Sequence, residues 1–334
     1  LKSCFCWLKT AACVDRGAGQ PSQRPAKPAM AAPALLMRRG LNFRPPALDV
    51  QSVRKESKAH GLLATPDCQS LSERFQVQEA LGEGAFAVVY RAKQLGDGAS
   101  VALKMIRMDS EEILHTAREE YELLRSLNHP HIIRAHDIVT VPARVVVVLE
   151  FFDGKCLDAV VAGTPEGRLQ EASCRRLFGA LLGAVEYLHK RGVMHRDVKA
   201  ANILVSPDLS DLRLLDFNVA QNALAGGALT LTGTADYMPP EVLLGDPHSW
   251  GSDVWASGLC LSLMAAGRKP LKCSAFASHE ALARAATARA RAPLAGAAWR
   301  DVSEQCKHVV RRCLEPELGL RSSAAEILGC EWLR

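Results

Sequence analysis

Apolar residues keep a regular period from about Phe75 onward and keep none before it. Over residues 75–151 the period is two, or the apolar run is unbroken. Val77–Leu81 and Ala87–Lys93 read as two strands joined by a glycine-containing turn; Gly96-Asp97-Gly98 marks the next turn and Ser100–Ile106 a third strand. Ile132–Val139 and Arg144–Phe151 read as two more. Val145–Leu149 is apolar at every position, so that strand is expected to be covered on both faces. One segment of this half has helical spacing instead: Ile113, Ala117, Tyr121, Leu124 and Leu127 fall on one face of Glu111–Leu127.

After Leu157 the spacing becomes that of helices. Ser173–Arg191 is predicted as a long amphipathic helix with Leu177, Leu181, Ala184, Val185 and Leu188 inward, followed by short strands at Ile203–Val205 and Leu212–Leu215. Trp250–Gly267, Glu280–Arg291 and Ser303–Leu314 are further predicted helices. A strand-rich half (75–150) and a helix-rich half (157–334), hinged at 151–156, predict two lobes around a cleft. Residues 1–70 differ: Pro21, Pro25, Pro28, Pro33, Pro45 and Pro46 would interrupt any long helix, so a disordered leader is expected there.

Composition agrees with a folded core: 48% of the 334 residues are hydrophobic and 23% charged. The formal charge of +5 is uneven. Residues 1–74 hold 12 Lys and Arg against 5 Asp and Glu, which leaves 29 against 31 for the rest. The basic excess therefore belongs to the leader and is read as a solvated tail; no nucleic-acid partner is expected. The Ala- and Arg-rich stretch 281–298 is read as a helix with a solvated face. No run of about 18 apolar residues occurs, so no membrane span is expected. The 11 scattered cysteines suit reduced thiols and a cytoplasmic location. Against that location, Met30–Ala47 carries Arg38, Arg39 and Arg44 without an acid, a weak likeness to an organelle-targeting leader.

Candidate chemistry begins at Leu81-Gly82-Glu83-Gly84-Ala85-Phe86-Ala87-Val88-Val89. Gly82 and Gly84 would let a strand–turn–strand backbone lie close over phosphates. Lys104 closes the apolar run Val101-Ala102-Leu103 and can bind phosphate as a point charge. It needs an acidic partner, and Glu119, Glu120 and Glu122 all lie on the helix that follows. No G-x-x-x-x-G-K-[ST] loop is present.

The stretch Val193-Met194-His195-Arg196-Asp197-Val198-Lys199-Ala200-Ala201-Asn202-Ile203-Leu204 resembles the catalytic loop of eukaryotic protein kinases, H-R-D-L-x-x-x-N. Leu214-Leu215-Asp216-Phe217-Asn218 is similar to the D-F-G motif with Asn for Gly. Thr230 to Glu241 resembles the activation segment and its A-P-E ending, with Pro239 for Ala. The resemblance covers roughly residues 75–334, with every motif in family order.

It implies an α+β, two-lobed fold: a small antiparallel sheet with one key helix, and a larger, mainly helical lobe. It implies an ATP- and Mg²⁺-dependent transfer of the γ-phosphate to Ser or Thr hydroxyls of protein substrates. Asp197 would orient the incoming hydroxyl, Lys199 contact the γ-phosphate, and Thr234 bond to both. Lys104 would hold the α/β-phosphates with Glu120 as partner. Asn202 and Asp216 would hold the metal. Leu81, Val89, Ala102 and Leu204 would wall the adenine. Leu149 would be the gatekeeper, with Glu150, Phe151 and Phe152 in the hinge. Asp253 would anchor the catalytic loop, and Arg321 would pair with Glu241. Thr230 lies where an upstream kinase would phosphorylate such a segment, with Arg196 as the pairing cation.

Three departures stand out. Ala87 replaces the third glycine of the loop. Asn218 replaces the D-F-G glycine, and its tolerance of positive φ would preserve the turn. Cys156 stands where an acid for ribose or a basic substrate residue is common, with Asp153 or Asp158 as substitutes. The alternative reading is a kinase-shaped scaffold that binds nucleotide or partners without efficient transfer.

Overall fold

The computed structural model describes residues 71–84, 87–218, 220–222 and 234–334. The leader over 1–70, the tip of the glycine loop and Thr230 lie outside the described residues.

A short helix, α1 (Leu71–Arg74), leads into β1 (Phe75–Glu83), β2 (Ala87–Gln94) and β3 (Ser100–Arg107). Helix α2 (Glu111–Ser126) follows, then β4 (Ala135–Val141) and β5 (Arg144–Glu150). The five strands form one antiparallel sheet in the order β1-β2-β3-β5-β4. Val145, Val146, Val147 and Val148 are all essentially inaccessible, as an apolar run on both faces requires. Helix α2 begins with Glu111 and Glu112 and ends near Arg125, charges that complement its macrodipole. Its Ala117 and Tyr121 pack with Ile106, Val145 and Val147 of the sheet.

The second lobe starts with the two-residue strand β6 (Lys155–Cys156) and α3 (Leu157–Ala162). The long helix α4 (Glu171–Lys190) buries Leu177, Phe178, Leu181, Leu182, Val185 and Leu188 in its core. Short strands β7 (Val193–Met194), β8 (Ile203–Val205), β9 (Leu212–Leu214) and β10 (Gln221–Asn222) carry the cleft-facing loops. Then come α5 (Pro240–Leu243), α6 (Trp250–Ala266), α7 (His279–Arg291), α8 (Glu304–Cys313) and α9 (Ala324–Leu328). Fifteen residues of α6, from Ser252 to Ala266, are buried, so this helix forms the centre of the lobe. It stops at Gly267, whose φ of 61° and close approach to the Gly167 carbonyl leave no room for a Cβ. Among the described residues no helix is long and apolar enough to cross a membrane.

One expected strand, Ile132–Val139, is displaced and ends at Val141. It begins at Ala135, not at Ile132. Ile132 makes a lone parallel bridge with Leu214, and the Ile133 amide donates to the Leu214 carbonyl at 3.1 Å. Both isoleucines are buried in the core of the helical lobe. The backbone after Pro130 is thus spent on β9 rather than on the sheet.

Candidate functional site

Lys104 lies on β3, buried between its strand neighbours, and a buried ammonium needs a partner. Its Nζ donates to both oxygens of Glu120, at 2.7 and 2.8 Å. Of the three acids the sequence offers, Glu120 alone shares the buried face of α2 with Ala117, Tyr121 and Leu124; Glu119 and Glu122 are exposed. Asp216 stands 3.8 Å from the same ammonium. Burial works to lower the Lys104 pKa, but the charges and hydrogen bonds of Glu120 and Asp216 outweigh it, and the net direction is up.

The loop after β7 is built around Asp253 at the start of α6. Its carboxylate accepts from the His195 amide (2.9 Å), the Arg196 amide (2.8 Å) and His189 Nε2 (2.9 Å). Burial pushes the Asp253 pKa up, yet the His189 bond and charge and the His195 contacts together bring it below its ordinary value. Holding two successive amides lets Arg196 take a φ of 66°, which an L residue adopts only at a cost of about 1–2 kcal/mol. The His195 ring bonds the Leu215 carbonyl at 3.0 Å and packs edge-on against Phe217.

The turn delivers Asp197 into a full set of donors. Oδ1 accepts from the Thr234 amide at 3.0 Å and the Thr234 hydroxyl at 2.8 Å. Oδ2 accepts from Lys199 Nζ at 2.6 Å and Asn202 Nδ2 at 3.0 Å. Lys199 also donates to Thr234 Oγ1 at 2.7 Å, closing a triangle of three side chains. Asn202 Nδ2 further bonds the Asp197 carbonyl at 2.9 Å, but Asn202 Oδ1 is buried with no hydrogen-bond partner among the described residues.

Asp216 follows β9 with a φ of 64°. The left-handed residue of this turn is therefore the aspartate; Asn218, expected from its residue type to take that role, does not have positive φ. The reason is tertiary: Phe217, 1% exposed beside His195, and the Lys104 ammonium fix the two side chains and force the backbone between them.

Of the residues the resemblance assigns to the nucleotide, Leu81, Gly82, Gly84 and Val89 of the sheet lobe are half-buried, and Ala102 lies opposite Leu149 across the β3–β5 ladder. Half-buried Leu204 on β8 pairs with Cys156. Between the lobes, Glu150 receives Arg213 Nε at 2.6 Å, and the same guanidinium lies 4.6 Å over the Phe152 ring. Arg91 covers Phe151 in the same way at 4.4 Å.

The family model of the protein kinase domain matches residues 75–333. The chain belongs to this family. Among curated relatives it is 34% identical to CBL-interacting protein kinase 4 of Oryza sativa subsp. japonica over 260 residues, 74% of this chain and 55% of that protein. It is 31% identical to mitogen-activated protein kinase kinase kinase 3 of Arabidopsis thaliana over 280 residues, 80% of this chain and 42% of that one. A carbon catabolite-derepressing protein kinase of Candida albicans is 35% identical over 203 residues, 59% and 32% respectively. The chain spans between about a third and a little over half of the length of these relatives.

Kinase domains use ATP with a divalent cation, and the buried donors here fit one. An unpaired amide oxygen in the interior costs about 1–3 kcal/mol, a cost that a bound cation removes. Asn202 Oδ1 is such an oxygen, in a loop shared with Asp197. A carboxamide and a carboxylate are hard oxygen ligands. Among the described residues no group of three or more His, Cys, Asp or Glu could hold a metal; a Mg²⁺ ion is usually held by one or two protein oxygens together with substrate phosphates.

Several contributors were not singled out from the sequence. Arg213 is the polar residue between Leu212 and Leu214, an alternation that marks it as turned away from the core, though not toward Glu150. Tyr237, whose hydroxyl accepts from the Ala200 amide at 3.3 Å, and His189 gave no local signal. Cys156 is fully buried, so its thiol faces no substrate; Asp153 is exposed and Asp158 half-buried.

Proposed function

We propose that this kinase domain transfers the γ-phosphate of ATP to serine and threonine hydroxyls of protein substrates, with Mg²⁺ as the cation. The observation that carries the reading is the Asp197–Lys199–Thr234 triangle, with its contacts of 2.6, 2.7 and 2.8 Å. It places a carboxylate, an ammonium and a hydroxyl at one point, where an entering alcohol needs a proton acceptor and a phosphoryl group needs a cation. Asp197 accepts or orients the proton of the acceptor hydroxyl. Lys199 holds the γ-phosphoryl oxygens, and Lys104, fixed by Glu120, holds the phosphates upstream. Asn202 and Asp216 would hold the metal, which when bound neutralises charge on the phosphate oxygens. Leu81, Val89, Ala102, Leu149 and Leu204 enclose the base, and backbone groups of Glu150 and Phe152 bond its edge; Gly82 and Gly84 let their strand close over the phosphates.

A radiolabelled-ATP assay with Mg²⁺ on a peptide array tests this directly. Label on Ser and Thr peptides is expected. Label on Tyr peptides alone, or no label while nucleotide binds, would replace the reading by a tyrosine kinase or a scaffold.

Two further expectations follow from the same assignment. Phosphate on Thr230 would add nearly two negative charges for Arg196 to pair with. Thr230→Ala is therefore expected to lower activity several-fold in protein from cells, and full activity would mean that the segment orders itself without phosphate.

The second concerns pH. In the nucleotide-free protein the Asp216 carboxyl is pushed from 3.8 up to about 7, chiefly by burial and then by the Glu120 and Asp197 charges, against the pull of Lys104 and Lys199. A raised carboxyl pKa contributes stability that is present below the unfolded value and lost as pH rises through about 7. Metal ligation needs the ionised form, so Mg²⁺–nucleotide binding should strengthen as pH rises through that point and should release a proton at pH ~6. Calorimetry at pH ~6 in buffers of different ionisation heat measures the proton; none released would remove Asp216 from the metal.

A further inference from the structure

Asn218 stands where the family motif has glycine, and its backbone gives no reason for either residue, because the left-handed position is Asp216. What Asn218 adds is a carboxamide. Its Nδ2 donates to Asp216 Oδ1 at 2.5 Å, and its Oδ1 faces Lys104 Nζ at 3.5 Å. The amide thus spans the ammonium and the carboxylate, which are themselves 3.8 Å apart. Its oxygen faces the cation and its N–H the anion, the favourable alignment at both ends. Glycine can make neither contact. The remaining charged neighbours of Asp216 are mixed: Glu120 and Asp197 repel its carboxylate, whereas Lys199 attracts it.

We propose that Asn218 is a positioning residue for the metal-bound nucleotide: its side chain clamps the Asp216 carboxylate beside Lys104, a task that glycine leaves to the backbone. The proposal rests on the assignment of Asp216 to the metal under the proposed function. A carboxylate oxygen has two lone pairs, so the Asn218 bond persists while a cation takes another. Holding the carboxylate in advance removes an ordering cost from metal capture, as ligand-orienting partners do at other metal sites.

The test is Mn²⁺ binding to the full chain, followed by electron paramagnetic resonance, with a non-hydrolysable ATP analogue present. Asn218→Gly and Asn218→Ala are expected to weaken Mn²⁺ binding about tenfold, with KM for a substrate peptide unchanged. Asn218→Asp keeps an acceptor for Lys104 but turns a second carboxylate on Asp216, and is expected to lose at least as much. Mn²⁺ binding as tight as in the parent in Asn218→Ala, or tighter in Asn218→Asp, would overturn the proposal. Asn218→Ala also guards against a misfolded glycine variant, since its Cβ fits the native backbone; parental unfolding midpoints are the control. Mn²⁺ binding is read without phosphate transfer. A chain that labels no peptide yet loses Mn²⁺ affinity with these variants would keep this inference and lose the kinase reading.

Discussion

Asp197→Asn should lower phosphate transfer by about 10²–10⁴-fold, the usual contribution of a positioned acid or base, while nucleotide affinity stays near the parent's. The substitution preserves shape and removes a charge, but the surrounding bonds make it more than a loss of basicity. Asp197 Oδ1 faces the Thr234 amide and hydroxyl, and Oδ2 faces Lys199 and Asn202 Nδ2. Three of these four groups can only donate. An asparagine must turn its NH₂ toward one pair or the other: against Lys199 and Asn202 it meets two donors, against Thr234 it meets the backbone N–H. No rotamer satisfies both sides, so the Lys199–Thr234 contact should loosen as well. Single-turnover transfer to a labelled peptide, beside nucleotide binding by fluorescence, separates the two quantities. Transfer within tenfold of the parent would take Asp197 out of the proposed role.

What could be read in advance divides by the range of the interactions. The β5 strand was legible because Val145–Val148 carry their own evidence of two-sided burial. Glu120 was legible only through the resemblance, since Glu119, Glu120 and Glu122 all lie on α2; in the fold it is Glu120 that shares the face buried with Ala117, Tyr121 and Leu124. Ile132 was not, because an apolar residue looks the same whether it joins the sheet or bridges Leu214 some 80 residues away. The turn at Asp216 failed for a related reason. Residue type favours Asn218 for positive φ, but the demand comes from where Phe217 and Lys104 lie in space, and it fell on Asp216. Motif spacing marked Asn202 and Asp253, yet the unpaired Oδ1 of the one and the His189 bond of the other arise only once the loop and α6 are packed.

Arg321→Ala should cost about 3–5 kcal/mol of stability, the range for removing one partner of a buried ion pair. The Arg321 side chain is fully buried, and its Nη1 and Nη2 meet the two Glu241 oxygens at 2.6 and 2.9 Å. Its remaining donors serve the carbonyls of Glu315 at 2.8 Å, Gly251 at 3.1 Å and Pro316 at 3.4 Å, and the guanidinium lies 5.1 Å from the Trp255 ring centre. Alanine would strand the Glu241 carboxylate, itself only 10% exposed, along with those carbonyls and a cavity beside α6. Arg321→Lys should recover little of the loss, because a three-donor ammonium cannot match a planar fork. Glu241→Gln keeps two acceptor–donor contacts at most and should fall between parent and alanine. Urea unfolding gives the three differences; a loss under about 1 kcal/mol for Arg321→Ala would mean that the pair is as weak as a solvated one. The damage should also reach the cleft. Glu241 closes the segment that carries Thr234, so releasing it frees the residue that bonds Asp197. Transfer in Arg321→Ala should therefore decline at temperatures well below its unfolding midpoint, with nucleotide binding still intact.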